Sequence, residues 1–376
     1  MVNEVFQQVA MEARPYQHRI VTKAVQMLSG DWINRFGQQE SAAKSVMIES
    51  PTGSGKTVMG LTVAKVMQER FGWKIGWVAM RRNLLQQAQA ENLSRGFGVE
   101  METISMFEKD PPQVDMLIVD EAQHDAAMSM ANLHSIIHPK RILGLTATPF
   151  RTDRMKLCFE KVITDAGIQT LIDEGYLSRY HHYTIPAYTP QMVAETFAKE
   201  PEHWGKTLMF FYRHVDCLTC QHELKQHGFE SEVVTGKTNR EKQLEDFHND
   251  RFQVLINMSI LTEGFDCPSL KTVFCRPSGK GCTVQMGGRV FRKHADFPMK
   301  QIVQCQKTKH PFVKTARPEE QYVWSDSGWK TLKVNKHLNQ ITQRSLQLIA
   351  RSQVELPKQV AMHRVRLPSW LESRAS

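Results

Sequence analysis

The sequence predicts an α/β fold: two tandem parallel-sheet lobes followed by a small basic C-terminal appendage. Three observations predict it. Short apolar runs alternate with helical patterns through the first part of the chain, and the same rhythm restarts after a polar interval. It then breaks after Gln304, and from Gln301 to Ser376 there are 13 Lys and Arg against 5 Asp and Glu, so eight of the nine net positive charges collect in the last fifth.

In the first lobe, Val46 to Ile48, Ile75 to Ala79, Met116 to Val119 and Ile142 to Leu145 are apolar runs of strand length, each followed by a helical pattern. A second series comprises Leu208 to Phe211, Val233 to Val234, Val254 to Ile256, Val273 to Phe274 and Ile302 to Val303. Between them Arg151 to Trp204 holds GIQTLIDEG, YLSRYHHYTIPAYTP and AKEPEHWGK, and the lobe boundary is set near Tyr176. The expected domains are therefore 1–175, 176–305 and 306–376. In the last of these, QYVW and WKTLKV flank SDSG as a hairpin, and a basic helical segment starts near Asn335. Its side carrying Leu338, Ile341, Leu348 and Ile349 could dock on a lobe or bind a protein partner.

With 376 residues, 41% hydrophobic and 23% charged, the chain has room for two domains and a sizeable core. The net charge of +9, concentrated as it is, favours a polyanionic partner over an evenly basic surface. Seven scattered cysteines do not resemble a disulfide framework, so a cytoplasmic location is expected. The start MVNEVFQQVAMEARPYQ has no basic region followed by an apolar run, and no apolar stretch approaches the roughly 20 residues a membrane helix needs. No membrane association is expected.

The run SPTGSGKT, Ser50 to Thr57, lies between a strand and a helix, which is the context of a phosphate-holding loop. Thr52, Gly53, Ser54 and Gly55 would turn backbone amides inward, Lys56 would reach the β- and γ-phosphates of ATP, and the Thr57 hydroxyl would hold Mg²⁺. LIVDEAQH then places Asp120 and Glu121 directly after a strand, at the edge where α/β sheets bind ligands. Asp120 would hold Mg²⁺ through water and Glu121 would orient or deprotonate the attacking water. In GLTATPFR, Thr146 and Thr148 could bond the carboxylate loop, or the segment could be a plain turn ended by Pro149. In QMGGRVFR, Arg289 and Arg292 are three apart and share a face if helical, which suits an anion approached from a second domain.

ARPYQ, SPTGSGKT, DEAQH, TATPFR, ILTEGFDCP and QMGGRVFR occur in the order of a superfamily 2 helicase, and the chain resembles that family from about Arg14 to Arg292. Within it, TATPFR, GKTNREKQLEDFHNDRFQVLINMSILTEGFDCP and QMGGRVFR look most like the DNA-directed group containing the XPB, UvsW and RadD proteins. The resemblance implies two RecA-like lobes with ATP in the cleft and nucleic acid running across both. By that similarity Gln17 would read the adenine edge, supported by Arg14 and Tyr16. Gln123 would link ATP to the second lobe, Gly264 and Asp266 would couple nucleotide to strand, and Gln285, Arg289 and Arg292 would complete the site. Strand contacts would come from Arg81, Arg82, Asn83, Thr103 and Ser105 in the first lobe and from Gly236, Lys237 and Thr262 in the second, bonding phosphates rather than bases. Two departures stand out: Ser50 replaces the usual first glycine, and Gln123 stands where many relatives have His. RPSGKGCTVQ is also more glycine-rich and basic than the pattern leads one to expect.

The expected function is an ATP-dependent DNA helicase or translocase. An ATP-gated nucleic-acid clamp without productive motion and an RNA helicase are the alternatives. His214, Cys217, Cys220 and His222 look like a metal cluster, but at 100° per residue His222 points roughly opposite Cys220 on a helix, so a zinc site is not expected. Tyr322, Trp324, Trp329 and Phe312 lie among lysines and arginines; packing on the neighbouring lobe is favoured over base stacking, because a small hairpin must bury its aromatics somewhere.

Overall fold

A computed structural model describes residues 1–124, 128–148, 159–236, 238–258, 261, 265–325 and 328–332. Among them the first part of the chain forms α1 (Val2–Gln8), α2 (Pro15–Ser29), β1 (Ser45–Glu49), α3 (Lys56–Phe71), β2 (Ile75–Ala79), α4 (Arg82–Ser94), β3 (Met101–Ser105), β4 (Met116–Asp120), α5 (Met128–Ile137), β5 (Arg141–Thr146), β6 (Lys161–Thr164) and α6 (Ile168–Asp173). The second part forms β7 (Arg179–Ile185), α7 (Pro190–Lys199), α8 (Pro201–Trp204), β8 (Thr207–Phe210), α9 (His214–Gln226), β9 (Ser231–Val234), α10 (Arg240–His248), β10 (Val254–Asn257), β11 (Thr272–Phe274), α11 (Lys280–Gly288), β12 (Met299–Cys305), β13 (Glu320–Ser325) and β14 (Gly328–Thr331).

These strands make two sheets, ordered β3-β2-β4-β5-β1-β6 and β14-β13-β7-β12-β11-β8-β10-β9. The first is parallel throughout, and the second is parallel except where β14 returns against β13. Every residue of β2 and β4 is buried, as expected of apolar strands covered on both faces. This is the two-lobe parallel-sheet α/β fold that the sequence predicts. The described part of the C-terminal region adds the hairpin to it, while the helical segment expected from Asn335 lies outside the described residues. No helix among the described residues is long and apolar enough to cross a membrane.

Register decides where the chemistry gathers. Glu49 pairs with Thr146 and Asp120 with Leu145, so β1, β4 and β5 end together at one edge of the first sheet. The loops that leave this edge begin with Ser50, Glu121 and Ala147.

Three strands escape the sequence pattern. METIS and KVIT are short pieces at or near sheet edges, and RYHHYTI of β7 is masked by its polar and aromatic residues. The structure accommodates the latter by pairing: the Tyr180 hydroxyl donates to the Ala316 carbonyl at 2.5 Å, and His182 bonds the Gln304 side chain at 3.0 Å. Burial lowers the His182 pKa, keeping the ring neutral.

The hairpin grouped in sequence with the C-terminal appendage is hydrogen-bonded into the second sheet, β13 running parallel to β7. Its aromatics pack on that lobe. Tyr322 stacks on Tyr183 at 4.7 Å, Trp329 stands edge-on to Trp204 at 5.7 Å, and the Trp329 indole donates to Glu200 at 3.0 Å. Cys217 and Cys220 of α9 are fully buried in the core of the same lobe, and burial pushes the Cys217 thiol up to about 12.

Two features of the core give measurable expectations. Gly60 of α3 packs on the first sheet so closely that a Cβ would lie 2.8 Å from both Trp77 and Leu145. Gly60→Val should therefore destabilise the protein by about 2 kcal/mol through overpacking, seen as a lower urea midpoint at an unchanged m-value. Lys300 on β12 is 0% exposed and donates to the Pro268 and Leu270 carbonyls at 2.8 and 2.7 Å. Desolvation by burial lowers its pKa to about 8 from 10.5. Between those values the unfolded chain holds a proton that the native one has lost, so this residue makes stability rise with pH across that window. In urea unfolding from about pH 7.5 to about pH 9.5, wild type should gain about 2 kcal/mol relative to Lys300→Met.

Candidate functional site

The loop after β1 turns on two residues in the left-handed region, Gly53 at φ 83° and Gly55 at φ 82°. Bare backbone is required at both. A Cβ on Gly55 would sit 2.5 Å from Gln17 Nε2, and one on Gly53 would sit 3.2 Å from Leu177. Ser50 ties the loop down: its N–H donates to the Thr146 carbonyl at 2.9 Å and its hydroxyl to that of Ser54 at 2.7 Å.

From α2, Tyr16 and Gln17 both donate to the Ser54 carbonyl, at 2.6 and 2.9 Å. Arg14 closes the cluster. Its backbone N–H donates to Gln17 Oε1 at 3.0 Å, its guanidinium donates to the Tyr16 hydroxyl at 3.1 Å, and it stands over the Tyr176 ring at 5.3 Å. The Gln17 amide thus engages the phosphate loop directly.

Lys56 begins α3 beneath this loop, and its nearest acceptors, the Ser50 and Pro51 carbonyls, are distant at 3.4 and 3.5 Å. Burial lowers its pKa, Glu121 and Asp120 act to raise it, and Arg289 and Arg292 act to lower it further. A cation so placed, with long hydrogen bonds and two guanidiniums nearby, suits a bound polyanion.

Asp120 and Glu121 are each 8% exposed at the end of β4. The Glu121 N–H donates to Asp120 Oδ1 at 3.0 Å, and Glu121 holds φ 55°, an uncommon conformation for a residue with a Cβ. A chain of side chains leads away from it. Gln123 Nε2 donates to Glu121 Oε2 at 3.0 Å, the Thr146 hydroxyl donates to Gln123 Oε1 at 2.7 Å, and the Thr148 N–H donates to Thr146 Oγ1 at 3.0 Å. Gln285 Nε2, on the second lobe, then donates to Thr148 Oγ1 at 3.3 Å. The Thr146–Thr148 pair joins the carboxylate loop to the second lobe.

The second lobe supplies the facing wall. Arg289, 7% exposed, donates to the Phe265 carbonyl at 2.9 Å, and Arg292 forms an ion pair with Asp266. Gly288 fits against Thr52, where a Cβ would lie 3.3 Å from that side chain. One cleft is lined by Thr52, Gly53, Gly55, Lys56, Thr57, Asp120, Glu121, Asp266, Arg289 and Arg292, together with Leu84, Gln87 and Glu91 of α4. This donor set fits a triphosphate, with a hydroxyl and carboxylates to hold a divalent cation beside it.

Arg81, Arg82 and Asn83 stand at the start of α4, past the C-terminal end of β2. Thr103 lies inside the edge strand β3, 3.5 Å from Gln89, so it does not share the rim with them; Ser105 ends that strand. Gly236 is exposed in the turn after β9. Lys237, Thr262 and Gly264 lie outside the described residues.

Sequence reasoning missed Arg240, the first residue of α10. Its pKa is lowered by burial and then by the nearby guanidiniums of Arg81 and Arg289, so three arginines from both lobes approach one another. The Asn239 cap, which accepts from the Lys242 N–H at 3.2 Å, was its only local signal.

Comparison with known proteins agrees with this architecture. Residues 10–110 match the family model of the type III restriction enzyme res subunit, and residues 188–294 match the helicase conserved C-terminal domain. A "51.5 kDa protein" of a Lactococcus phage (isolate 7-9) is 26% identical over 271 residues, spanning 62% of this chain and 59% of that protein. IRC3 of Saccharomyces cerevisiae, which carries the provisional name ATP-dependent helicase, is 25% identical over 228 residues, covering 49% of this chain and 33% of its own length. The chain therefore spans between a third and three fifths of these relatives. In fold it is similar to the ATP-dependent type ISP restriction-modification enzyme LlaBIII bound to DNA, with TM-score 0.55 and 13% identity, over 78% of this chain and 27% of that one.

If the cleft is built for phosphate, inorganic pyrophosphate should raise the thermal midpoint of the wild type and not that of Lys56→Met. Without anion, Lys56→Met should melt about 2 °C higher, because it relieves a desolvated cation.

Proposed function

This chain belongs to the superfamily 2 helicases, and we propose that it is an ATP-driven motor that moves along or remodels DNA. One observation carries the reading: Lys56, Asp120 and Glu121 of the first lobe and Arg289 and Arg292 of the second line the same cleft. Phosphoryl transfer needs that combination, since its catalysis is mostly positioning and charge stabilisation.

In this reading Gly53, Ser54 and Gly55 present amides to the phosphates and Lys56 neutralises them. Thr57 and Asp120 hold Mg²⁺, which when bound screens the phosphate oxygens. Glu121 orients the attacking water and takes its proton. Gln123, Thr146 and Thr148 hand the state of Glu121 to Gln285. Arg289 and Arg292 meet the developing negative charge from the far lobe; such an arginine contributes roughly 10³- to 10⁵-fold, or about 4 to 7 kcal/mol of barrier. Lobe closure then controls the rate, and each cycle of closing and opening shifts the grip on the strand.

DNA is favoured as the track by the match of the first lobe to a restriction-enzyme subunit model; the fold neighbours do not discriminate, since equally similar ones are bound to DNA and to RNA. Arg81, Arg82, Asn83 and Arg240 would contact phosphates, joined by Gly236, Lys237 and Thr262, so sequence preference should be slight.

The test is steady-state phosphate release with single-stranded, duplex and forked DNA and with RNA, at about 50 and 200 mM salt, where phosphate-dominated binding weakens steeply. DNA should stimulate wild type, and Lys56→Ala and Glu121→Gln should each lower stimulated kcat by about 10²-fold or more while leaving the fold intact. Undiminished turnover in both variants would refute the assignment. Stimulation by RNA alone would move the substrate, and binding without sustained turnover would make the protein a clamp.

A further inference from the structure

Three residues at the entrance to the second sheet, Tyr176, Leu177 and Ser178, touch both halves of the cleft. Tyr176 meets the first half: its ring lies edge-on to Tyr16 at 5.3 Å, with the Arg14 guanidinium over it at 5.3 Å. Leu177, 2% exposed, presses on the phosphate loop at Gly53, where a Cβ would be 3.2 Å from its side chain. Ser178 holds the second half. Its N–H donates to the Phe291 carbonyl at 2.9 Å and its hydroxyl donates to the Arg292 carbonyl at 3.2 Å.

The far end of this connection is rigid. Phe291 is fully buried, stacked on Phe312 at 5.4 Å and edge-on to Tyr180 at 5.3 Å. Arg292 itself comes near the phosphate loop, its Cγ 4.0 Å from the position a Cβ on Gly53 would take. Ser178 is 4% exposed, and it precedes β7 rather than a helix, so its hydroxyl is not serving as a helix cap. The hydroxyl instead fixes the backbone of the residue whose guanidinium lines the cleft.

We infer that Ser178 is a positioning residue for Arg292, and that Tyr176 to Ser178 form a strap joining the Arg14–Tyr16 corner and the phosphate loop to that arginine. The inference rests on the ATPase reading above. Ser178 has no contact with the phosphates in this arrangement; it sets where the Arg292 backbone stands relative to Gly53.

The test compares nucleic-acid-stimulated ATP hydrolysis by wild type, Ser178→Ala, Ser178→Thr, Arg292→Ala and the Ser178→Ala/Arg292→Ala double variant, with melting curves for each. Ser178→Ala should lower kcat about five-fold at an unchanged KM for ATP, the loss expected for one hydrogen bond that acts in the transition state. Ser178→Thr, which keeps the hydroxyl, should recover most of that kcat. Adding Ser178→Ala to Arg292→Ala should cost nothing further, because the serine acts through the arginine. Wild-type kcat in Ser178→Ala, or the full five-fold loss persisting in the Arg292→Ala background, would overturn the inference while leaving the motor reading intact. Absence of stimulated hydrolysis in wild type would remove that reading and this inference together.

Discussion

The carbonyl of Ser54 is the fixed point of the structure's chemistry. Tyr16 and Gln17 both donate to it, and the two glycines beside it occupy backbone conformations that other residues rarely adopt. A loop meant to present amides outward must have its remaining polar groups satisfied inward, and α2 does this. Ser50 completes the arrangement from the other side, bonding β5 through its N–H and Ser54 through its hydroxyl. The loop after β1 is therefore held from α2, from β5 and by its own Ser50.

Charged groups of the two lobes face one another across the cleft. Arg289 and Arg292 act on Lys56 across the cleft, and Arg81 and Arg289 act on Arg240. Like charges converge because carboxylates are set among them: Asp120 and Glu121 on one side, and Asp266 paired with Arg292 on the other. A polyanion entering this field would exchange repulsion among cations for attraction, which gives nucleotide a physical means of drawing the lobes together. The Gln123–Thr146–Thr148–Gln285 chain joins Glu121 to the second lobe by hydrogen bonds.

Much of the fold was legible in sequence where the chemistry demands a residue type at a set spacing. SPTGSGKT and DEAQH follow β1 and β4 at the edge where those strands and β5 end together, whereas QMGGRVFR closes α11 and runs past it. Strands buried on both faces, such as β2 and β4, announce themselves as apolar runs. What stayed hidden depends on partners distant in the chain. β7 lacks an apolar run because its histidines and tyrosines meet partners distant in the chain, among them Gln304, Ala316 and the hairpin. Ser178 and Arg240 carry no motif; the serine bonds a backbone carbonyl, which sequence does not display, and the arginine's charged neighbours are distant in the chain, Arg81 on the other lobe and Arg289 on its own. Thr103 lies in the middle of β3, two residues before Ser105 at its end.

The placing of β7 bears on the order in which the molecule can be made. Its neighbours are β12 and β13, and the His182–Gln304 bond joins residues 122 apart in the chain. The first sheet, by contrast, has all its strands once β6 has emerged. During synthesis the amino-terminal lobe can settle early, while β7 waits with open hydrogen-bonding edges until nearly the last described strands leave the ribosome. The half that carries the facing arginines is thus the slow, aggregation-exposed half, and a nascent chain can have a finished phosphate loop long before it has an arginine to set against it.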